Sequence, residues 1–397
     1  MAKELSHIAS SIRASTTIAI DTKYKEMKAA GLDVIGFGAG EPDFDTPDNI
    51  KMAAVRAISA NFTRYTPAAG TVELREAVCE RLKKDCGVDY TPAQIVVSNG
   101  AKQALFLALK ALINPGDEVV IPAPYWVSYY ELAIMTGAKP VIVETNAESG
   151  WKMTADMLRA AITPNTKALM LNNPTNPSGV VYTSGELSDI ARVCVENEIY
   201  IISDEIYYKL IYGDAKFTSV AALGEDVKKL TILVNGVSKS YAMTGWRIGY
   251  SAAEPKIAKI ISNLQSHMSS APNSIAQKAA EDALVGSQSS IELMRRAFEA
   301  RLDYFVERAK NIGIEIILPR GAFYVMMDIS KYIGGTLGGV EIHDADDFAD
   351  AFLSAQKVAV VPCTGFGAPH HVRWSYATSL ENIKLGMDRL EAFLAEK

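Results

Sequence analysis

Between residues 48 and 255 short apolar, β-branched runs alternate with amphipathic stretches of helical period, and this alternation limits the possible folds more than any other feature of the chain. The pattern places strands at 94–98, 118–122, 139–144, 167–172, 200–204 and 231–235, with helices between most of them, such as 101–113 and 184–197. Strands joined through helices run parallel, because only a long crossover returns the chain in the same direction. The expectation is an α/β unit with a mostly parallel sheet flanked by helices, binding its ligands beyond the carboxyl ends of the strands. Polar clusters fall at those ends. Ser98, Asn99 and Gly100 follow the first strand, Tyr125 and Trp126 the second, and the run NNPTNP the fourth; Asp204 closes the fifth, and Ser238 and Lys239 follow the sixth.

Beyond residue 255 the pattern changes. A long amphipathic stretch at 289–311 leads into strand-like segments at 314–318, 322–328, 358–362 and 371–377 and helices near 344–356 and 380–395, which read as a smaller α+β unit. A helical pattern over 21–30, ended by Gly31, and the apolar run Val34 to Phe37 join it. The expected division is a large domain over 48–288 and a small one built from 1–47 and 289–397. At 397 residues the chain is longer than one core usually holds. Four glycines within 331–344 suggest a mobile surface loop.

The net charge is −6, and no dense run of Lys or Arg could track a phosphate backbone, so nucleic acid is not an expected partner. The first residues lack the apolar stretch of a secretory signal, and about 18 uninterrupted apolar residues occur nowhere, so a cytoplasmic chain without membrane association is expected. Cys79, Cys86, Cys194 and Cys363 are widely spaced with no CxxC, which implies neither zinc nor a disulfide framework.

The chemistry is densest in residues 231–250, TILVNGVSKSYAMTGWRIGY. An apolar strand turns at Asn235 and Gly236, and a hydroxyl (Ser238), an amine (Lys239) and a guanidinium (Arg247) follow within eleven residues. Together they suit a phosphate-bearing aldehyde cofactor, because a lysine kept partly neutral by desolvation forms a Schiff base with a carbonyl. The segment SKSYAMTGWRIGY resembles the lysine segment of class I pyridoxal-phosphate-dependent aminotransferases, in particular the bacterial aspartate aminotransferase branch. GAGEPDFDTP (38–47), RYTPAAG (64–70), SNGAKQAL (98–105), PAPYWVSY (122–129), NNPTNPSG (172–179), SDEIY (203–207) and VRWSYATS (372–379) resemble family segments in family order. The resemblance spans nearly the whole chain. It implies fold type I, pyridoxal 5'-phosphate as cofactor, and a homodimer with shared active sites in which Tyr65 reaches the phosphate of the neighbouring subunit.

With that cofactor in mind, the residues take on roles. Asp204, at the end of a buried strand, suits the ring nitrogen. Two unit charges about 4 Å apart interact by roughly 4 kcal/mol at an effective dielectric near 20, equivalent to about three pKa units. Tyr207 can hydrogen-bond the ring oxygen, and by resemblance Asn176 contacts the same atom. Gly100, Ala101 and Lys102 open a helix whose free N–H groups make an anion site, reinforced by Arg247 and Ser238. Trp126 or its neighbour Tyr125 offers a face for stacking on the ring; the spacing leaves both open. Arg373, between strand neighbours that face the other way, presents a planar fork to a carboxylate, and the resemblance makes that the substrate α-carboxylate. By resemblance also, Gly40 lies over the substrate carboxylate and Lys102 meets a distal carboxylate.

The implied reaction is transfer of the amino group of L-aspartate to 2-oxoglutarate, giving oxaloacetate and L-glutamate by a ping-pong route. Enzymes for aromatic, kynurenine or prephenate substrates would share the cofactor residues, as would a non-catalytic cofactor-binding module. The lack of a basic N-terminal helix-turn-helix segment argues against the last. Cys363 stands where relatives commonly carry glycine, and the sequence assigns no role to His370 and His371 beside Arg373.

Overall fold

The computed structural model describes residues 3–13 and 16–396. Its centre is a seven-stranded sheet made of β1 (Ile95–Ser98), β2 (Glu118–Ala123), β3 (Lys139–Glu144), β4 (Thr166–Asn172), β5 (Tyr200–Asp204), β6 (Thr231–Gly236) and β7 (Gly249–Ala252), in the spatial order β1-β7-β6-β5-β4-β2-β3. The pairs β2–β3, β2–β4, β4–β5 and β5–β6 are parallel. Both contacts of β7 are antiparallel, so it alone runs against the other six. The sequence pattern finds those six and misses β7. Its four residues, GYSA, are too short and too weakly β-branched to stand out, and they follow the lysine loop directly instead of a helix.

Parallel strands packed on both faces read as continuous apolar runs, and the burial shows why. In β5, Ile201 faces a layer with Leu169, Leu187 and Ile190, while Ile202 faces the opposite layer with Leu105, Leu109 and Ile261. The flanking helices carry the boundary signals expected of them. The helix Val72–Cys86 opens on Thr71, whose side chain accepts from the Leu74 N–H, and closes on Gly87 at φ 69°. The helix Ser184–Glu196 opens with a Thr183–Glu186 capping box.

A second sheet of β8 (Ile316–Ile317), β9 (Tyr324–Asp328), β10 (Val361–Pro362) and β11 (His371–Ser375) is antiparallel, in the order β10-β11-β9-β8. Its core is aromatic, with Phe298, Phe305, Phe348, Phe352 and Trp374 fully enclosed. The apolar run near residue 34 forms a separate two-stranded sheet, Ile35–Gly36 lying parallel to Val358–Ala359. The glycine-rich segment expected as a mobile loop instead forms a small hairpin, Thr336–Leu337 against Val340–Glu341, that turns through Gly338 and Gly339 at φ 56° and 79°. The helical pattern near residue 21 extends back to Thr16 and ends at Ala29.

Three glycines fix the geometry at the carboxyl end of the large sheet. Gly236 and Gly249 face each other across β6 and β7, and a Cβ on Gly236 would stand 2.9 Å from the Gly249 Cα. A Cβ on Gly249 would stand 2.3 Å from the backbone N of Ala101, where the helix α1 (Ala101–Leu112) begins. Gly100, at φ 80°, leaves no room for a Cβ beside the Arg247 guanidinium, which would lie 2.5 Å away. The lysine loop, the start of β7 and the N-terminus of α1 are therefore packed backbone against backbone.

Gly249→Ala is expected to destabilise the protein by about 1–3 kcal/mol through overpacking, read as a lower thermal midpoint, because backbone and not a flexible side chain occupies the space. An unchanged midpoint would show that the helix start moves freely.

Candidate active site

A cavity of about 600 Å³ opens where the strand ends of the large sheet face the smaller sheet. Its walls include Gly40, Ala101, Lys102, Trp126, Asn176, Asp204, Tyr207, Ser238, Lys239, Arg247 and Arg373. Residues spread over more than three hundred positions thus meet in one space. Of the residues singled out from sequence, Gly100 stands just behind the wall against Arg247, and Tyr65 lies outside it, 96% exposed. Tyr125 does not line the cavity while Trp126 does, which decides between the two for a face on this space.

Lys239 sits in the loop after β6, partly buried on the cavity wall, its amine donating to the Gly40 carbonyl. Burial pulls its pKa from 10.5 down to about 8; Glu41 opposes the shift, while Arg247 and Arg373 add to it. The loop is tied to residues 38–47 by Thr244 donating to Glu41 (2.6 Å), Thr46 to the Ala242 carbonyl (2.6 Å) and Trp246 to Thr46 (3.0 Å). Arg301, from the helix Ser289–Asn311, grips Asp43 in the same segment through two bonds of 2.7 and 2.9 Å.

Asp204, the last residue of β5, is buried, and its pKa rises to about 6 because it is desolvated. The Tyr129 hydroxyl donates to its Oδ2 at 2.7 Å and the Ile206 N–H to its Oδ1 at 3.2 Å; both oppose the rise. No ion pair to Asp204 forms among the described residues. Asn172, at the end of the adjacent β4, donates to the Asp204 carbonyl (2.9 Å) and accepts from the Asn176 N–H (2.8 Å). Asn176 in turn accepts from Arg373 Nη1 at 3.0 Å, and Arg373 Nη2 donates to the Gly38 carbonyl at 3.1 Å. Arg373 lies over the Tyr324 ring, 4.4 Å from its centroid, and its Nε is buried without a partner.

α1 begins at Gly100 with no side-chain cap, so its first N–H groups and helix dipole point to where Ser238 and Arg247 stand. The Lys102 ammonium lies 4.7 Å from the Trp126 ring centroid, and its pKa is lowered by burial and by Arg247. Sequence reasoning missed Tyr129, Tyr324, Asn172 and Glu41. Tyr129 carries the same signal as Trp126, a position just past a strand end, whereas Tyr324 opens a buried strand and reads as core. Of the residues left without a role, Cys363 is buried beside Phe366 and Val361, His371 packs edge-on against Trp151 with ring centroids 4.8 Å apart, and His370 is exposed; none of the three lines this cavity.

Residues 32–390 match the family model for aminotransferase class I and II. The chain belongs to that family. It is 47% identical over 381 residues to the aspartate aminotransferase of Bacillus sp. (strain YM-2), covering 96% of each chain. It is 46% identical over 394 residues to the aspartate/prephenate aminotransferase of Cereibacter sphaeroides, covering 98% of each. A solved structure of Thermus thermophilus aspartate aminotransferase with maleate superposes with a TM-score of 0.94 at 39% identity, covering 99% of this chain and 100% of that one. The protein is accordingly a pyridoxal-phosphate-dependent aminotransferase of α/β fold. The cavity fits that cofactor on its own terms. A buried carboxylate with no ion-pair partner among the described residues, Asp204, suits a ring pyridinium, an uncapped helix start beside a guanidinium suits a phosphate, and an amine of lowered pKa suits an aldehyde.

Because a lowered lysine pKa enlarges the neutral fraction, aldehyde capture by Lys239 in cofactor-free protein is expected to rise with pH around a midpoint near 8. The check is reductive trapping of a small aldehyde, quantified by peptide mapping. A midpoint near the ordinary lysine value of 10.5 would show a solvated amine.

Proposed function

We propose that this aminotransferase moves the amino group of L-aspartate to 2-oxoglutarate, and that the cavity residues divide the work as follows. Bound pyridoxal phosphate supplies an aldehyde carbon for amine exchange and a cationic ring that accepts the electron pair left at the substrate Cα. The α1 N-terminus, Ser238 and Arg247 hold its phosphate, and Tyr65 contributes from the partner in a homodimer with shared active sites. Trp126 stacks on the ring. Asp204 holds the ring nitrogen protonated, with Tyr129 keeping the carboxylate oriented. Tyr207 donates to the ring oxygen, as does Asn176 through its amide nitrogen, since its Oδ1 is taken by Arg373.

Arg373 receives the α-carboxylate beneath Gly40. Two of its five N–H groups are used by Asn176 and Gly38, which fixes the guanidinium plane and, with Nε buried, leaves one proton on each Nη for the substrate. Lys239, near pKa 8, takes the Cα proton as general base and returns it as general acid on the other carbon of the exchange.

The observation that carries the choice of a dicarboxylic substrate is the balance of charge. Lys102, Lys239, Arg247 and Arg373 line the cavity with Glu41 and Asp204, and Lys102 has no carboxylate partner among the described residues. With a phosphate at Arg247 and an α-carboxylate at Arg373, Lys102 is the cation left for a second, distal carboxylate. The names of the similar enzymes support the same reading, and the Cereibacter relative's name supports prephenate, also a dicarboxylate, as a second substrate.

We further place the large domain at 48–288 and the small one at 1–47 with 289–397, supported by the confinement of the seven-stranded sheet to Ile95–Ala252 and of the four-stranded sheet to Ile316–Ser375. The dimer is supported by the exposed apolar positions Met52, Val55 and Ile58 on the helix Asp48–Ser59, close in sequence to the fully open Tyr65. A cytoplasmic location agrees with the absence, among the described residues, of any helix long and apolar enough to cross a membrane.

Lys102→Ala is expected to lower kcat/KM for L-aspartate about 10- to 100-fold more than for L-phenylalanine, in keeping with about 1.5–3 kcal/mol for a hydrogen bond to a charged group. Steady-state assays with both donors check it, and an equal loss with the two would contradict the role.

A further inference from the structure

Two phenols connect the cofactor side of the cavity to its substrate side. Tyr207, three residues past the end of β5, and Tyr324, the first residue of β9, come from different sheets, and their hydroxyl oxygens lie 3.0 Å apart. Both rings are buried and meet edge to face with centroids 5.8 Å apart. Each phenol has one proton to give, so at this distance one hydroxyl donates and the other accepts. The donor then has nothing left to give elsewhere.

The direction of that bond follows from the surroundings. Tyr324 lies against Arg373, whose positive charge opposes the rise that burial causes in its pKa. Burial pushes Tyr207 well above the ordinary tyrosine value, and Arg373 opposes that rise too, so the charge alone does not rank the two phenols. Once the Tyr207 proton has another acceptor, only the Tyr324 proton remains for the bond between them, which makes Tyr324 the donor. The Tyr324 oxygen has no other hydrogen-bond partner among the described residues. The cavity in front of Tyr207 is where that second acceptor would sit.

We propose that Tyr324 is a positioning residue whose hydroxyl donates to the Tyr207 oxygen and so commits the single Tyr207 proton to the ring oxygen of the cofactor. The inference rests on the reading above that Tyr207 faces that oxygen, and adds a residue outside the groups assigned there. A donor behind Tyr207 also makes Tyr207 itself a stronger donor, because hydrogen bonds in a chain polarise one another. The Tyr324 ring acts independently of its hydroxyl, as the platform that holds the Arg373 plane.

Substitution separates the hydroxyl from the ring. Tyr324→Phe keeps the ring and removes the hydroxyl. It is expected to raise the cofactor dissociation constant about 3- to 10-fold, the scale of one neutral hydrogen bond, and to raise the pH midpoint of the visible absorbance of the bound cofactor. The KM for L-aspartate should stay within about twofold, since Arg373 keeps its platform. Tyr324→Leu should raise that KM in addition. The decisive comparison is with Tyr207→Phe and the double variant: if Tyr324 acts through Tyr207, Tyr207→Phe with Tyr324→Phe binds cofactor no more weakly than Tyr207→Phe alone. Full additivity, or an unshifted absorbance midpoint in Tyr324→Phe, would overturn the inference while leaving the cofactor reading intact. A wild-type protein that fails to take up the cofactor would overturn both, and the thermal midpoint of each cofactor-free variant shows whether it is folded.

Discussion

A carboxylate sealed at the end of a parallel strand is the constraint on which the rest of this site depends. Asp204 is buried, has a hydroxyl and one backbone N–H for company, and among the described residues forms no ion pair, with Lys239 acting on it only from a distance. An ionised carboxylate in such a place is costly unless a positive charge stands opposite, and a protonated ring nitrogen provides one. The Tyr129 bond keeps the group ionised near neutrality against the pull of burial. In the proposed reading the other groups of the cavity are arranged around that charge: the Lys239 amine for exchange with substrate, the α1 start for the phosphate, and Arg373 for the α-carboxylate.

The fold delivers these groups together because six strands of the large sheet end on one edge while the seventh, β7, runs back between β1 and β6. The reversal brings Arg247, at the foot of β7, up against Gly100 at the head of α1, and turns the lysine loop over the strand ends between them. Only glycine at 100, 236 and 249 permits this approach. The smaller sheet closes the other side by contributing Arg373 and Tyr324 from the adjacent strands β11 and β9. Through Asn176 and Asn172, a line of hydrogen bonds runs from Arg373 back to the Asp204 backbone, so the two ends of the site are mechanically continuous.

Most of this arrangement is legible in the sequence for a physical reason. Parallel strands buried on both faces write themselves as apolar runs, and the polar residues directly after them can only collect at one edge, so the pattern alone brings Asp204, Ser238, Lys239 and Asn176 together. Arg373 is readable from its apolar strand neighbours. What stays hidden needs register and packing. β7 is too short and too polar to announce itself, Tyr324 is indistinguishable from a core aromatic until β9 is paired with β11, and Tyr129 acquires meaning only once its hydroxyl is seen on Asp204. Tyr65 stays outside the cavity of a single chain, and the part proposed for it depends on the proposed dimer.

The central claim is that the cavity carries out amino transfer from a dicarboxylic amino acid, and it is most directly tested by titrating the cofactor-loaded protein with L-aspartate while following the visible absorbance. The predicted result is a band lost at low L-aspartate and restored by 2-oxoglutarate. A band that ignores L-aspartate yet responds to L-phenylalanine or L-kynurenine would contradict it.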